Sequence, residues 1–223
     1  MVTRGQTGRF LPRSKSRITA IPWKRAFDIG FSLSVLVLLF PLYLAIAALI
    51  YFTSSGSIFY RQQRVGKDGR IFSCIKFRTM MIGADQILQD LLEQCPHQKA
   101  EFESSFKLKN DPRITPIGKW LRLTSLDELP QFWHVLTGEM SVVGPRPLVV
   151  EELSRYGNAI DQVLSVRPGI TGLWQVSGRN DLPYPRRVQL DLYYARHHNF
   201  GLDLWIVLKT VAIVIFPKGN GAY

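Results

Sequence analysis

Ile29-Gly-Phe-Ser-Leu-Ser-Val-Leu-Val-Leu-Leu-Phe-Pro-Leu-Tyr-Leu-Ala-Ile-Ala-Ala-Leu-Ile-Tyr-Phe52 carries no charged side chain from end to end. A helix needs about 20 apolar residues to cross the hydrocarbon of a bilayer, so this stretch is a membrane segment. A cleaved signal peptide fits poorly, because the run is long and no small-residue cleavage site follows it. Its flanks are both basic. Arg4, Arg9, Arg13, Lys15, Arg17, Lys24 and Arg25 precede it without an acid among them; Arg61, Arg64, Lys67, Arg70, Lys76 and Arg78 follow it with only Asp68. Such flanks belong on the cytoplasmic side, and here both ask for it. Pro41, near the middle of the run, deletes a helical hydrogen bond and clashes with the preceding turn. A re-entrant helix-break-helix over 21–53 satisfies the charge and the proline together; an ordinary kinked span is the alternative. Ser32 and Ser34 are the candidates to satisfy backbone groups freed at the break. Asp28, at the edge of the run, is expected to pair with Lys24 or Arg25 as an interfacial anchor.

Outward from that segment, 223 residues allow one domain with a membrane element. The organisation expected is a basic N-terminal tail (1–20), the membrane segment (21–53) and a cytoplasmic domain (54–223). With 28 Lys+Arg against 17 Asp+Glu, a net charge of +11 calls for an anionic partner: nucleic acid, acidic lipid or nucleotide. Cys74 and Cys95 offer neither a disulfide framework nor a zinc spacing, which points to reduced thiols. The fold class expected is α+β, mostly helical. Ile58–Val65 and Ile71–Arg78 flank Gly66-Lys-Asp-Gly69 as a β-hairpin. Its Arg61, Arg64, Lys76 and Arg78 either line a phosphate site or present a solvated basic face to anionic membrane lipid. Ala84–Glu93 has the period of a one-sided helix. Thr115-Pro116 supplies the N-cap and first-turn proline of a helix through Arg122. Two further helices close the chain, Arg186–His198 and Gly201–Phe216. The second is short for a span, carries Asp203 and Lys209, and either lies on the membrane interface or packs in the core. His197 and His198 are adjacent, point two ways and read as surface residues.

The stretch Leu121-Arg-Leu-Thr-Ser-Leu-Asp-Glu-Leu-Pro-Gln131 sets two carboxylates, Asp127 and Glu128, where a helix is expected to begin and run to about Leu136, stopping before Gly138. The positive end of a helix favours ionised carboxylates and a bound phosphate, and acids beside a phosphate need a cation between them. The competing reading is plain capping: Thr124-x-x-Asp127 and Ser125-x-x-Glu128 both have capping-box spacing. In Gly144-Pro-Arg-Pro147 two prolines stiffen the backbone around Arg146. A guanidinium held that way suits bidentate phosphate binding, with a structural turn as the other reading. The glycine-rich run Ser165–Asn180 carries Arg167, Trp174, Gln175 and Arg179 and is able to approach a nucleotide closely; Trp174 by itself reads as core.

Taken as an ordered series, Lys24-Arg-Ala-Phe-Asp28, Phe59–Gly66, Ile75-Lys-Phe-Arg-Thr-Met80, Leu123–Gln131, Met140-Ser-Val-Val-Gly-Pro-Arg-Pro147 and Arg167–Arg179 resemble the bacterial sugar transferase family, the monotopic phosphoglycosyl transferases. The resemblance covers about residues 20–223 and is specific as a set. It implies an enzyme at the cytoplasmic face of the bacterial inner membrane that moves a sugar 1-phosphate from a UDP-sugar to undecaprenyl phosphate, releasing UMP. By the same resemblance Asp127 is the nucleophile, forming a phosphosugar-aspartyl intermediate, and Glu128 works beside it, the two acids holding Mg²⁺. Pro41 matches the proline that breaks the family's re-entrant helix. Lys76, Arg78, Arg122, Arg146, Arg167, Arg179, Gln175 and Asp191 are the expected substrate and phosphate contacts. Longer relatives carry further membrane helices and a domain ahead of the catalytic part; here a basic stretch of about twenty residues precedes the match, and a homodimer is one assembly left open. Arg167–Arg179 and the ending Gly221-Ala-Tyr223 look most like members using hexose donors such as galactose or glucose. Two other classes stand beside the enzyme: a non-catalytic membrane scaffold whose acids only cap a helix, and a tethered nucleic-acid binder, for which no recognised motif is present.

Overall fold

A computed structural model describes residues 22–105 and 108–216; the basic tail 1–20 and the ending Gly221–Tyr223 lie outside them. The apolar run forms two helices, α1 (Pro22–Leu38) and α2 (Phe40–Thr53), bent by 61° at the break between them. Pro41 sits in the first turn of α2, where a missing N–H costs nothing, and its ring prevents α1 from continuing straight. The main-chain ladder still bridges the break: Leu39 N donates to Val35 O and Tyr43 N to Leu39 O, both at 2.9 Å. The serines are therefore not used as expected. Ser34 Oγ donates to Gly30 O, and Ser32 Oγ is buried without a partner. No single described helix is long and apolar enough to cross a membrane, although α1 and α2 together meet that test.

The start of α1 is tied into the body of the protein, which corrects the reading of Asp28. Asp28 accepts from Ser141 Oγ and Val142 N at 2.9–3.0 Å and is 2% exposed. Its expected partners are engaged elsewhere. Lys24 Nζ lies 2.6 Å from Asp203, and Arg25 donates to Val135 O and Leu136 O. These groups find buried acceptors in distant parts of the chain, so none is left to pair at an interface.

Strands β1 (Phe59–Val65) and β2 (Ile71–Phe77) form the antiparallel hairpin, with Val65 opposite Ile71 and Tyr60 opposite Lys76. Its loop turns through Asp68 and Gly69 at φ 55° and 74°, a conformation that Asp tolerates and Gly adopts freely. Strand alternation puts Lys76 on the face of Phe72 and Cys74, with Arg64 across from Phe72. The basic residues of the hairpin therefore do not share one face: Arg64 is buried and Arg61 is exposed. Helices α3 (Ala84–Gln94) and α4 (Pro96–Ser105) follow it, and then α5 (Pro116–Thr124), capped by Thr115 Oγ1 on Gly118 N at 3.0 Å. Gly118 lets α5 lie directly on the backbone of Thr79, since a Cβ there would come 2.0 Å from Thr79 O. That contact brings the end of α5 up to the end of β2.

After α5 the chain makes a 3₁₀ turn (Leu126–Gln131) and then α6 (Phe132–Thr137), which stops at Gly138 with φ 90°. The expected helix is thus split in two, with Pro130 inside the tighter turn. Strand β3 (Ser141–Val143), the short helices α7 (Leu153–Tyr156) and α8 (Ile160–Val163), and strand β4 (Gly169–Thr171) come next. β3 and β4 pair in parallel, Val143 opposite Thr171. They meet through Gly144 and Gly169, where a Cβ on Gly169 would sit 2.1 Å from Gly144 N. Helices α9 (Tyr184–His197) and α10 (Phe200–Ile215) complete the chain. His197 is exposed and stacked on Tyr193, as a surface residue should be, while His198 is half-buried against Tyr194.

The main core gathers Cys74, Val135, Met140, Val142, Tyr194 and Ile206 from β2, α6, β3, α9 and α10. A second cluster joins Ile46 and Ile50 of α2 to Phe77, Leu121 and Leu129. Leu121 precedes the 3₁₀ turn and Leu129 lies within it, so burying both fixes where that turn points. Both Cys74 and Cys95 are free thiols, as expected. Helix α10 buries Asp203, Ile206 and Val207, so one side of it packs in the core, and leaves Leu204, Trp205, Leu208, Val211 and Ile215 exposed.

Candidate active site

Asp127 and Glu128 lie on the 3₁₀ turn and line a cleft of about 950 Å³. The turn follows Ser125, which is held left-handed at φ 58°, a strained conformation for a residue other than glycine. Neither capping box forms. Thr124 Oγ1 donates back to Trp120 O and Leu121 O, and the Ser125 side chain caps nothing; it accepts from Arg179 Nη2 at 3.3 Å. Both acids therefore face the cleft instead of satisfying backbone donors.

The two carboxylates are treated oppositely. Glu128 Oε1 is 2.5 Å from Lys76 Nζ and 3.5 Å from Arg146 Nη1. Burial alone would raise its pKa, but Lys76 and then Arg146 outweigh it and hold Glu128 well below the usual carboxylate range. Asp127 is 9% exposed, and among the described residues no group donates it a hydrogen bond. Burial, reinforced by the charge of Glu128, pushes it up to about 6 against the pull of Lys76, Arg122 and Arg146. The two acids are adjacent in the chain and Glu128 contributes to the raised pKa of Asp127, so Asp127 is the member of the pair that keeps its proton to higher pH.

The cations are positioned by different parts of the fold. Lys76 comes from the inner face of β2. Arg146 follows the β3–β4 contact: Gly144 N donates to Thr171 O and Gly169 N to Pro145 O, which pins the Gly-Pro-Arg-Pro turn. The structural-turn reading of that motif is therefore realised, and the turn sets Arg146 beside Glu128. Arg122 Nε donates to Thr79 Oγ1 at 2.9 Å, and burial lowers its pKa. Arg179, Gln175 and Trp174 line the same cleft; Gln175 Nε2 donates to Ile170 O, and Gln175 Oε1 is buried without a partner.

Three expected contacts are not brought to the acid pair. Arg167 Nε donates to Gly138 O at 2.9 Å, where it caps the end of α6 and lies outside the cleft lining. Arg78 borders the cleft, but its guanidinium caps α2 through Ser54 O and Ser55 O. Both serve carbonyls at helix ends, which a spacing argument does not reveal. Asp191 is fully buried behind the site, accepts from Tyr156 OH at 2.8 Å and is pushed up to about 8 by burial.

Sequence reasoning passed over His134. It is buried, its Nε2 accepts from Ile75 N at 3.1 Å, and its Nδ1 lies 2.7 Å from Glu139. It thereby ties the segment after the acid pair to the strand residue beside Lys76. Asp111 and Arg113, also missed, form a pair on the cleft wall at 2.7 Å that reaches Arg122 through its field. The only signal for His134 was a polar residue inside the apolar run 132–136; Asp111 and Arg113 lie in the polar stretch 109–113, where charged residues do not stand out. Among the described residues no three His, Cys, Asp or Glu side chains gather to hold a metal by themselves.

An open carboxylate, a second one neutralised by Lys76 and Arg146, and further arginines lining the same cleft suit an anionic, phosphate-bearing ligand. Residues 19–217 match the bacterial sugar transferase family, and the chain belongs to it. It is 48% identical over 202 residues to the UDP-galactose-lipid carrier transferase of Erwinia amylovora, covering 90% of this chain and 41% of that protein. It is 44% identical over 216 residues to the exopolysaccharide production protein ExoY of Sinorhizobium fredii, covering 96% of both. The UDP-glucose:undecaprenyl-phosphate glucose-1-phosphate transferase of Escherichia coli is 38% identical over 196 residues, 39% of its length. The chain therefore spans about two fifths of some relatives and nearly all of ExoY.

Proposed function

We propose that the protein transfers a sugar 1-phosphate from a UDP-hexose to undecaprenyl phosphate, giving undecaprenyl-diphosphate-sugar and UMP, at the start of exopolysaccharide or related glycan assembly. The observation that carries this reading is Asp127: a buried carboxylate without a donor, open to the cleft, beside a second acid already paired with Lys76 and Arg146. The family membership and the named activities of the relatives support it, with UDP-galactose and UDP-glucose as the donors to try first.

In this mechanism an Asp127 oxygen attacks the sugar-bearing phosphorus. The bond from that phosphorus to the bridging oxygen breaks, and UMP leaves with the electron pair. An oxygen of undecaprenyl phosphate then attacks the same phosphorus and expels the Asp127 carboxylate, so both anionic substrates use one site in turn. Arg146 and Lys76 keep Glu128 from adding to the repulsion and stand ready to stabilise phosphate oxygens; Arg122 and Arg179 add charge on the other side. Asp127 and Glu128 fit Mg²⁺, which is commonly held by one or two carboxylates completed by substrate phosphates. When bound, it supplies charge neutralisation on the diphosphate. Re-entry of α1 and α2 from the cytoplasmic side of the inner membrane fits the bend at Pro41 and keeps the acid pair near the headgroup plane.

The test is UMP release from UDP-sugars with undecaprenyl phosphate and Mg²⁺, alongside Asp127→Asn. Release by the unmodified protein and none by the variant supports the reading; no release with any donor from folded, lipid-bound protein favours a scaffold. Cysteine accessibility at the N-terminus tests the topology, and a periplasmic N-terminus overturns re-entry.

A further inference from the structure

The cleft does not end at the charged residues. It is also lined by side chains of a different chemistry: Phe31 and Val35 of α1, Leu39 at the break, and Val207, Val211 and Ile215 of α10. Phe132 and Val142 line it too. The two helices are joined at their beginnings, by Lys24 to Asp203 at 2.6 Å and by Trp23 edge-on to Phe200 at 4.9 Å. Their later turns border one continuous cleft. Lys209, the one cation in α10, lies over the Trp205 ring and is not part of the lining.

One cleft lined both by cations and carboxylates and by aliphatic side chains of two helices suits an amphiphile with a phosphate head. We propose that the α1–α10 groove holds the first isoprene units of the polyprenyl phosphate acceptor, delivering its phosphate to Asp127. This rests on the transferase reading above. Val207 to Ile215 spans roughly 12 Å of helix, so the groove takes only the head-proximal part of the chain and leaves the rest to the bilayer. The helix that closes the chain is thus half of the acceptor site, and acceptor recognition reads the tail as well as the phosphate. Continuity with the acid pair favours this occupant over a bilayer phospholipid, whose headgroup would have to displace the reacting phosphate.

Val211→Trp fills the groove from α10, and Val35→Trp fills it from α1. Each is assayed in detergent with undecaprenyl phosphate and with a single-isoprene phosphate, and Leu208→Trp, at a 62% exposed position outside the cleft, is the control. The expected result is a KM for undecaprenyl phosphate raised about tenfold, with the KM for the short acceptor nearly unchanged and the control like the unmodified protein. Exchange of labelled UMP into UDP-sugar needs no acceptor and reports whether each variant retains its donor chemistry. If one variant loses exchange, the other carries the test. Equal KM changes for both acceptors, or none in either variant, overturn the groove. So does a fall in co-purifying phospholipid with the KM ratio intact, which would assign the groove to a bilayer lipid. Failure of UMP exchange in the unmodified protein would instead count against the transferase reading.

Discussion

Two acidic regions of this molecule are both buried, and they are built on opposite terms. Beneath α1, Asp28 and Asp203 are 2% and 1% exposed, and each has its donors: Ser141 and Val142 for the first, Lys24 and Tyr194 for the second. On the 3₁₀ turn, Asp127 is 9% exposed and has no donor, only cations at a distance. The satisfied acids hold α1, β3, α9 and α10 together. A buried carboxylate left without a partner costs stability, and a fold keeps such a group where a ligand completes it.

The most direct way to break this comparison is to exchange the roles. Asp127→Asn is expected to lower UMP release by about 10⁴-fold with the fold intact; appreciable release would place Asp127 among the structural acids. Lys24→Ala should do the reverse. It strands Asp203 and is expected to cost about 3–5 kcal/mol in denaturant unfolding, with activity per folded molecule far less affected. Unchanged stability would show that the pair beneath α1 does not anchor it.

Smaller effects sharpen the contrast. Lys76→Met removes the nearest cation from Glu128 and is expected to lower kcat by about 10²-fold while raising the pKa of the acid pair, visible as a rightward shift of the acidic limb of the pH profile. A kcat within twofold of the original would remove Lys76 from the site.

The pH dependence of stability follows from the raised pKa of Asp127. Its protonated form is favoured in the folded state, so the stabilisation is complete below the unfolded value of 3.8 and is lost as pH rises through about 6. Asp127→Asn, which carries no charge, should therefore gain on the unmodified protein between pH 4 and 7. In chelator at pH 8 the difference is expected to reach about 2–3 kcal/mol. A difference independent of pH would mean that Asp127 is not held out of its ordinary range. The smallest effect is expected at His134: Ala should cost about 1–3 kcal/mol by orphaning Ile75 N–H, and Gln, which offers an acceptor, should restore part of it. Equal losses for both would argue against that hydrogen bond as the link.

Local patterns carried much of this protein in its sequence. The apolar run with Pro41, the hairpin around Gly66–Gly69, the Thr115 cap and the acid pair were all legible, because each depends on residues close together in the chain. The residues themselves also marked Lys76, Arg146 and Arg179 as phosphate-site candidates, and the family resemblance added Arg122. Tertiary structure alone decided which charges face the cleft. Arg167 and Arg78 went to helix ends, Asp28 to Ser141 and Val142, and Asp191 to Tyr156, since a buried charge takes whichever partner packing brings to it and those partners lie far away in sequence. The parallel β3–β4 pair and the groove between α1 and α10 were invisible for the same reason: both arise from segments that are distant along the chain and meet only once the core has closed.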